Sequence, residues 1–374
     1  MNSRFWRSAG VVLAGCQLLL LLVFPAVKPV ELREMTAAGG ADPSYAVYQK
    51  YRYAYENYVY LFLSEETGEG MDLGLGNASL EGGAAGEGTG PEAQAGVAEG
   101  GPPGSDGPGS RPQEGNGENL AEVYAKIQDY DYLMKRFYNV HPSTTAPRDL
   151  MKAETFLETD LGLEKNPEVP QILVYHTHSQ ETYADYGPDR PDANVVEVGN
   201  VLTDALRAKG WNVIHDTSTY DIQGGKLDRN KAYSYALEGI TQILDRFPEI
   251  QVVLDIHRDG VGEHVRLVTD IDGVPTANIM FFQGMSRTPE GEIAYLPNPN
   301  LGSNLAFSFQ MQWQAAESFP GLTRKIYLKG LRYNLHLRER SALVEVGAQT
   351  NTVEEAKQSM VALAEVLDRV LQGK

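Results

Sequence analysis

From Pro170 to the C-terminus, short apolar runs alternate with segments of helical period, and that alternation leaves few folds open. ILVYH, WNVIHD, QVVLDIH and SALVEVG read as strands, and most are apolar at successive positions rather than at every second one. A strand of that kind is buried on both faces. Between the runs, Val195, Val198, Leu202 and Leu206 mark a helix stopped at Gly210, and Ala236, Ile240, Ile243 and Leu244 mark another. Asn304 to Phe319 and Val353 to Leu371 read as two more helices. Val265 to Gly284 reads as a hairpin turning at Asp272-Gly273, with NIMFFQG as its second arm. Strands alternating with helices imply right-handed βαβ units, so residues 170–374 are expected to form an α/β domain: a mostly parallel central sheet with helices on both faces.

In an open parallel sheet, ligands bind beyond the carboxyl ends of the strands. The first strand delivers His176 and His178 there, with Glu181 close behind in HTHSQE; the third delivers His257, and the last carries Glu345. His178 and Glu181 form an H-x-x-E pair on a loop. With His257 arriving from a neighbouring strand, the set is two histidines and a carboxylate with an open fourth position, the pattern of a catalytic zinc site. Zinc there would polarise a carbonyl and acidify a water, and Glu345, desolvated at the centre of a sheet, is the expected base. Glu197, near the start of the first helix, rivals Glu181 as the third ligand. His176 either supports the ligands from behind or faces the other side of the strand end. His141, His215 and His264 read as structural.

Arg258 and Asp259 follow His257 at once, and Arg332, Asn334, His336 and Arg338 crowd LRYNLHLRERS just before the Glu345 strand. In so acidic a chain that cationic loop is expected to hold an anionic group of a substrate, while Arg258 and Asp259 are expected to bind substrate, Asp259 alternatively orienting an imidazole. The region has no glycine-rich phosphate loop and no G-x-S-x-G elbow, which argues against nucleotide binding and serine hydrolysis. A formal charge of −18 without a basic stripe argues against nucleic acid. The one cysteine, Cys16, leaves no disulfide framework or thiolate site, so a metal must be held by nitrogen and oxygen.

Cys16 lies inside an almost continuous apolar run, Ala9 to Val27, preceded by Arg4 and Arg7. Residues 1–30 therefore read as a retained membrane anchor that leaves the rest of the chain outside the cytoplasm. A lipoprotein box at Leu13 to Cys16 is the lesser alternative. Residues 31–66 are a tyrosine-rich segment, and residues 67–118 are dominated by Gly, Glu, Ala and Pro, a disordered acidic linker. Residues 119–169 regain helical spacing and are expected to pack as a lead-in on the domain after them.

ILVYHTHSQE, VVLDIHRDG, YLPNPNLGSNLAFSFQMQ, PGLTRKIYLKGLRYNLHLRERSALVEVGAQTN and TVEEAKQSM occur together and in this order. With them, the chain resembles the stage II sporulation protein P family over roughly residues 119–374. The resemblance implies a zinc-amidase-like fold and a Zn²⁺-dependent peptidoglycan hydrolase, an N-acetylmuramoyl-L-alanine amidase also credited with cross-link endopeptidase activity, working in engulfment. It further implies stage II sporulation proteins D and M as partners. The implied location is single-pass in the cell membrane, with the catalytic domain in the space between the mother-cell and forespore membranes. Against the zinc amidases of cell division, His178, His257 and Glu345 match two ligand histidines and a strand glutamate. HTHSQE and VVEVGN depart from the glycine-rich loop and helix glutamate of those enzymes, which leaves the third ligand as Glu181 or Glu197. Two readings from other classes stand beside this one: an inactive peptidoglycan-binding scaffold recruiting partner hydrolases, and a zinc carboxypeptidase suggested by the H-x-x-E pair alone.

Overall fold

The computed structural model describes residues 120–373; the anchor, tyrosine-rich segment and linker expected for residues 1–118 lie outside them. Among the described residues, no helix is long and apolar enough to cross a membrane.

The chain begins with helices α1 (Leu120–Lys126) and α2 (Tyr130–Phe137), strand β1 (Tyr138–Val140) and helix α3 (Ala153–Glu158). Next come β2 (Ile172–Tyr175), α4 (Val195–Ala208), β3 (Val213–His215), the short pair β4 (Ile222–Gln223) and β5 (Lys226–Leu227), α5 (Arg229–Arg246) and β6 (Val252–Asp259). The remainder comprises β7 (Val268–Ile271), β8 (Val274–Ala277), β9 (Ile279–Gly284), the short pair β10 (Arg287–Thr288) and β11 (Gly291–Glu292), α6 (Leu301–Ser318), β12 (Ile326–Lys329), β13 (Arg340–Ala348) and α7 (Val353–Leu371). Several helix starts are set by short polar side chains: Asn194, Asp228 and Thr352 each accept a backbone N–H from the first turn of α4, α5 and α7.

Seven strands form one sheet in the order β1-β12-β9-β13-β6-β2-β3. Every neighbouring pair is parallel except β9 with β13, so the mostly parallel sheet consists of two parallel blocks running in opposite directions. Because β1 pairs with β12, residues 120–169 supply an edge strand of this sheet.

Side-chain alternation assigns the two faces. Ile172 and Val174 of β2 and Val252, Leu254 and Ile256 of β6 point to the main core with α4, α6 and α7. Leu173 and Val253 point the other way and pack on Ala236, Ile240 and Leu244 of α5. That second face is covered by α5 only in part. Beyond it, Phe282 and Leu343 form a smaller cluster with Tyr333 and Leu335.

The expected hairpin is present but shorter. Its turn is Asp272-Gly273, both at positive φ (53° and 84°), yet the second arm is β8, and IMFFQG is a separate strand at the centre of the sheet. Hairpin arms exposed on one side have no use for six consecutive buried residues, whereas a central strand does. Asn278 makes the break, its N–H donating to Leu267 O and its side chain to Gly321 O.

Candidate active site

β2, β6 and β13 are mutually parallel, so their carboxyl ends share one edge. Just past β2 the chain turns: the Glu181 N–H donates to His178 O at 3.1 Å, which sets the two side chains of the H-x-x-E pair beside each other. Buried Asp221 anchors this turn by accepting from Ser179 Oγ and Gln180 N–H, and Asp255 anchors its start by accepting from Thr177 N–H and Oγ1. A loop tied down at both ends presents its ligands with little residual freedom.

One ligand atom each from His178, Glu181 and His257 lies within 4.8 Å of the others. His178 Nδ1 is 3.7 Å from Glu181 Oε1, and His257 Nδ1 is 3.5 Å from Glu181 Oε2. Asp255 Oδ1 stands 2.8 Å from His257 Nε2, a charge pairing off the line of the N–H. Burial works against every charge here, and the neighbours reverse it. For Glu181 the imidazoles of His178 and His257, with Arg258, hold the carboxyl well below its ordinary range. For His257 the carboxylates of Asp255 and Glu181 outweigh burial and hold the imidazolium well above its ordinary range. Asp255 is itself held low against burial by His257 and Thr177. The cluster is thus a buried carboxylate–imidazolium–carboxylate relay wherever no cation other than the proton occupies it.

Glu345 pairs in register with His257 and projects from the same face of the sheet. Desolvation, reinforced by Asp259, pushes its carboxyl up to about 8. Its Oε2 is buried with no hydrogen-bond partner among the described residues. Immediately after it, three residues of β13 span two of β6, a bulge made by Gly347 at φ +60°. A Cβ on Gly347 would sit 2.8 Å from Asn351 Oδ1 and 3.0 Å from Ala277 Cβ. His178, Glu181, His257 and Glu345 line one open cleft, walled by Tyr233 of α5 and by Tyr333.

The other expected site residues divide. Arg258 and Asp259 line the cleft, but the Arg258 guanidinium donates to Thr182 O and Asp259 O, and Asp259 is paired with Arg324 at 2.6 Å. Glu197 stays away: on α4, behind the sheet, it pairs with Lys357 at 3.2 Å. His176 follows the alternation of β2 to that same back face, where it bonds Ile256 O and, at 2.8 Å, His215. Burial lowers both His176 and His215 to about 4, so the pair is not doubly charged at neutral pH. Arg332, Asn334, His336 and Arg338 do not line the cleft, although Tyr333 of the same loop does. Arg332 donates to Pro297 O, Asn334 to Tyr233 O and Arg338 to Ile250 O, while the His336 carbonyl accepts from Asn300.

Sequence reasoning missed Asp255, Tyr233, Tyr333, Arg229 and Lys329. Asp255 had a signal, since a carboxylate two positions before His257 on one strand must share its face. The others had none, because which turn of α5 and which end of β12 meet the cleft is decided by tertiary packing.

Residues 114–368 match the family described as Stage II sporulation protein P. The chain belongs to that family. A curated relative, stage II sporulation protein P of Bacillus subtilis strain 168, is 26% identical over 214 residues, 53% of this chain and 50% of the relative, so the chain spans about half the length of that family member. Among solved structures, an N-acetylmuramoyl-L-alanine amidase of Nostoc punctiforme is similar at 12% identity and a TM-score of 0.32, over 56% of this chain and 97% of that one. The CwlD amidase of Clostridioides difficile, in complex with the GerS lipoprotein, is similar at 12% identity and a TM-score of 0.34, over 54% and 95%. Similarities at such scores add nothing to the geometry of the cleft.

Proposed function

We propose that this chain is a zinc-dependent peptidoglycan hydrolase that cuts the amide between N-acetylmuramic acid and the L-alanine of the stem peptide, with cross-link endopeptidase activity, during engulfment. The observation that carries the reading is the meeting of His178, Glu181 and His257 beside a carboxyl held near pKa 8 in one cleft.

The donor set fits zinc. One ligand atom from each of the three residues lies within 4.8 Å of the others, a span that one ion bonded at about 2.1 Å to each could bridge after small side-chain movement. A carboxylate buried between two imidazoles is also the charge pattern such an ion satisfies. When bound, zinc supplies Lewis acidity toward the amide carbonyl and lowers the pKa of a water. Asp255, 2.8 Å from the far nitrogen of the His257 ring, supplies the charge behind it. Glu345 takes a proton from the attacking water as the new C–O bond forms. It returns that proton to the amine nitrogen as the C–N bond breaks.

The N-terminal anchor would tether the domain to the cell membrane in the space between mother-cell and forespore membranes, with stage II sporulation proteins D and M as partners. The test uses the full chain purified in detergent. It should release stem peptides from the glycan of sacculi, lose that activity with a chelator and regain it with zinc, and lose it in Glu345→Gln with zinc still bound. Products ending in free N-acetylmuramic acid and a new alanine amine identify the bond. Wall binding without release or stoichiometric zinc would replace this reading with the scaffold.

A further inference from the structure

The cluster end of the cleft has two unlike walls. One is α5, which lies over β2 and β6 on the face from which His257 projects, since Leu173 and Val253 pack on Ala236, Ile240 and Leu244. A helix joining parallel strands runs antiparallel to them, so α5 begins at their carboxyl edge. Tyr233, one turn into α5, has its ring edge-on to His178 at 5.5 Å between centroids and stacked on His257 at 6.4 Å and 11°. Arg229 is one turn farther out on the same face of the helix. The helix start is fixed to the loop of the cluster: the Asp228 N–H donates to Asp221 O at 2.7 Å, and the Asp221 carboxylate accepts from Ser179 Oγ and Gln180 N–H, both at 3.2 Å. Arg229 is therefore mounted beside the loop that carries His178 and Glu181, and it lines the cleft with them.

The other wall is acidic. Glu345 stands on β13, across β6 from β2, and Asp259 is close enough to raise its pKa. The guanidinium groups on that side are committed: Arg258 donates to Thr182 O and Asp259 O, and Arg324 pairs with Asp259. Arg229 is different. Its side chain forms no ion pair or hydrogen bond among the described residues, and its Nε is buried without an acceptor. A buried guanidinium nitrogen that bonds nothing in the protein is costly unless a ligand supplies the acceptor.

Resting on the hydrolase reading, we propose that Arg229 is a catalytic residue that donates to the oxygen of the scissile carbonyl. As water adds to the carbonyl carbon, a C–O bond forms, the carbonyl π pair moves onto the oxygen, and Glu345 takes the proton of the water. When the C–N bond breaks, that pair returns to the carbon–oxygen bond and the proton goes to the leaving amine. The oxygen carries full negative charge only between these two events. An amide lying across the cluster, with the water on the β13 side and its oxygen toward α5, places that charge against the guanidinium and away from Glu345 and Asp259. The ring of Tyr233, set against both imidazoles, fixes the width of the gap the amide occupies. Because Arg229 sits on a capped helix tied to the cluster loop, its donor is in place before the charge develops, the condition under which such a contact lowers a barrier most.

The experiment compares binding of the charged and uncharged forms of the reacting group. An N-acetylmuramoyl tripeptide, and its analogue with a tetrahedral phosphinate in place of the scissile amide, are titrated calorimetrically into the full chain bearing Glu345→Gln, in detergent and zinc-containing buffer, with and without Arg229→Gln. The change at Arg229 should weaken the phosphinate about 100-fold and the amide by less than about threefold, because the contact is made to the charged oxygen. Arg229→Lys should recover part of the phosphinate affinity. With Glu345 intact, Arg229→Gln should lower kcat on the tripeptide about 100-fold with KM within about threefold, and leave the zinc content by elemental analysis unchanged. Equal weakening of both ligands would make Arg229 an anchor for the substrate as a whole, and unchanged phosphinate affinity would make it idle; either overturns the proposal, as does zinc lost with the substitution. A parent chain that releases no stem peptides from sacculi fails the hydrolase reading and this proposal with it. A parent that releases them, with phosphinate binding indifferent to Arg229, fails the proposal alone.

Discussion

The Glu345 carboxyl makes a thermodynamic prediction that does not depend on turnover. In the unfolded chain it ionises near 4.5; in the fold it is pushed up to about 8, mainly by burial. Between those values the native state holds a proton that the unfolded state has released, so stability falls as pH rises through this window. Replacement by Gln keeps the shape and removes the ionisation. With 1.36 kcal/mol per pKa unit, Glu345→Gln should stabilise the metal-free protein by about 1 kcal/mol at pH 5, about 3 at pH 7 and about 4 at pH 8, levelling above that. These are upper values, because water in the cleft screens the charge. Urea unfolding of both proteins in excess chelator, followed by tryptophan fluorescence at the three pH values, gives the difference directly. Zinc added to both should narrow the gap, since a dication nearby favours the ionised carboxylate. A difference that does not change with pH, or a variant less stable than the parent at pH 8, would refute the claim that desolvation dominates at this position.

Asp255→Asn removes the charge behind His257 and should weaken zinc binding about 10- to 100-fold in competition with a chromophoric chelator. Because the His257 proton must leave before the ring can ligate, and Asp255 and Glu181 hold that proton well above its ordinary range, zinc affinity should climb with pH until the raised pKa is passed. Calorimetry in buffers of different ionisation enthalpy should show the proton released; its absence would mean that the ring is already neutral. Glu181→Gln should abolish stoichiometric zinc while Glu197→Gln, whose carboxylate pairs with Lys357 behind the sheet, should retain it; elemental analysis decides between them. Gly347→Ala forces a side chain onto φ +60° and against Asn351 and Ala277, and should cost about 1–3 kcal/mol in urea unfolding, with wall hydrolysis falling further than stability because Glu345 is re-aimed.

The parts of the site legible in the sequence are those that short-range rules decide. The H-x-x-E pair could be read because a turn with a Glu181-to-His178 hydrogen bond is local, and the meeting of His257 with Glu345 because parallel neighbours end at one edge. The side of the strand end taken by His176 is given by alternation alone once the burial of Ile172 and Val174 is known. The arginine-rich loop shows where such rules stop. Its cations were weighed against the net charge of the chain, a property that says what an arginine could attract and nothing about what stands nearer. In the fold, Tyr333 and Asn334 both adopt positive φ, and the chain around them runs as an irregular turn and a single 3-10 turn. Backbone of that kind leaves carbonyls that no ladder satisfies, and Ile250, Leu337 and Pro297 each expose one within reach of a guanidinium. A buried carbonyl without a donor costs more than a solvated arginine gains by waiting for an anion. The loop therefore becomes scaffold, its guanidinium groups committed to carbonyls before any substrate arrives.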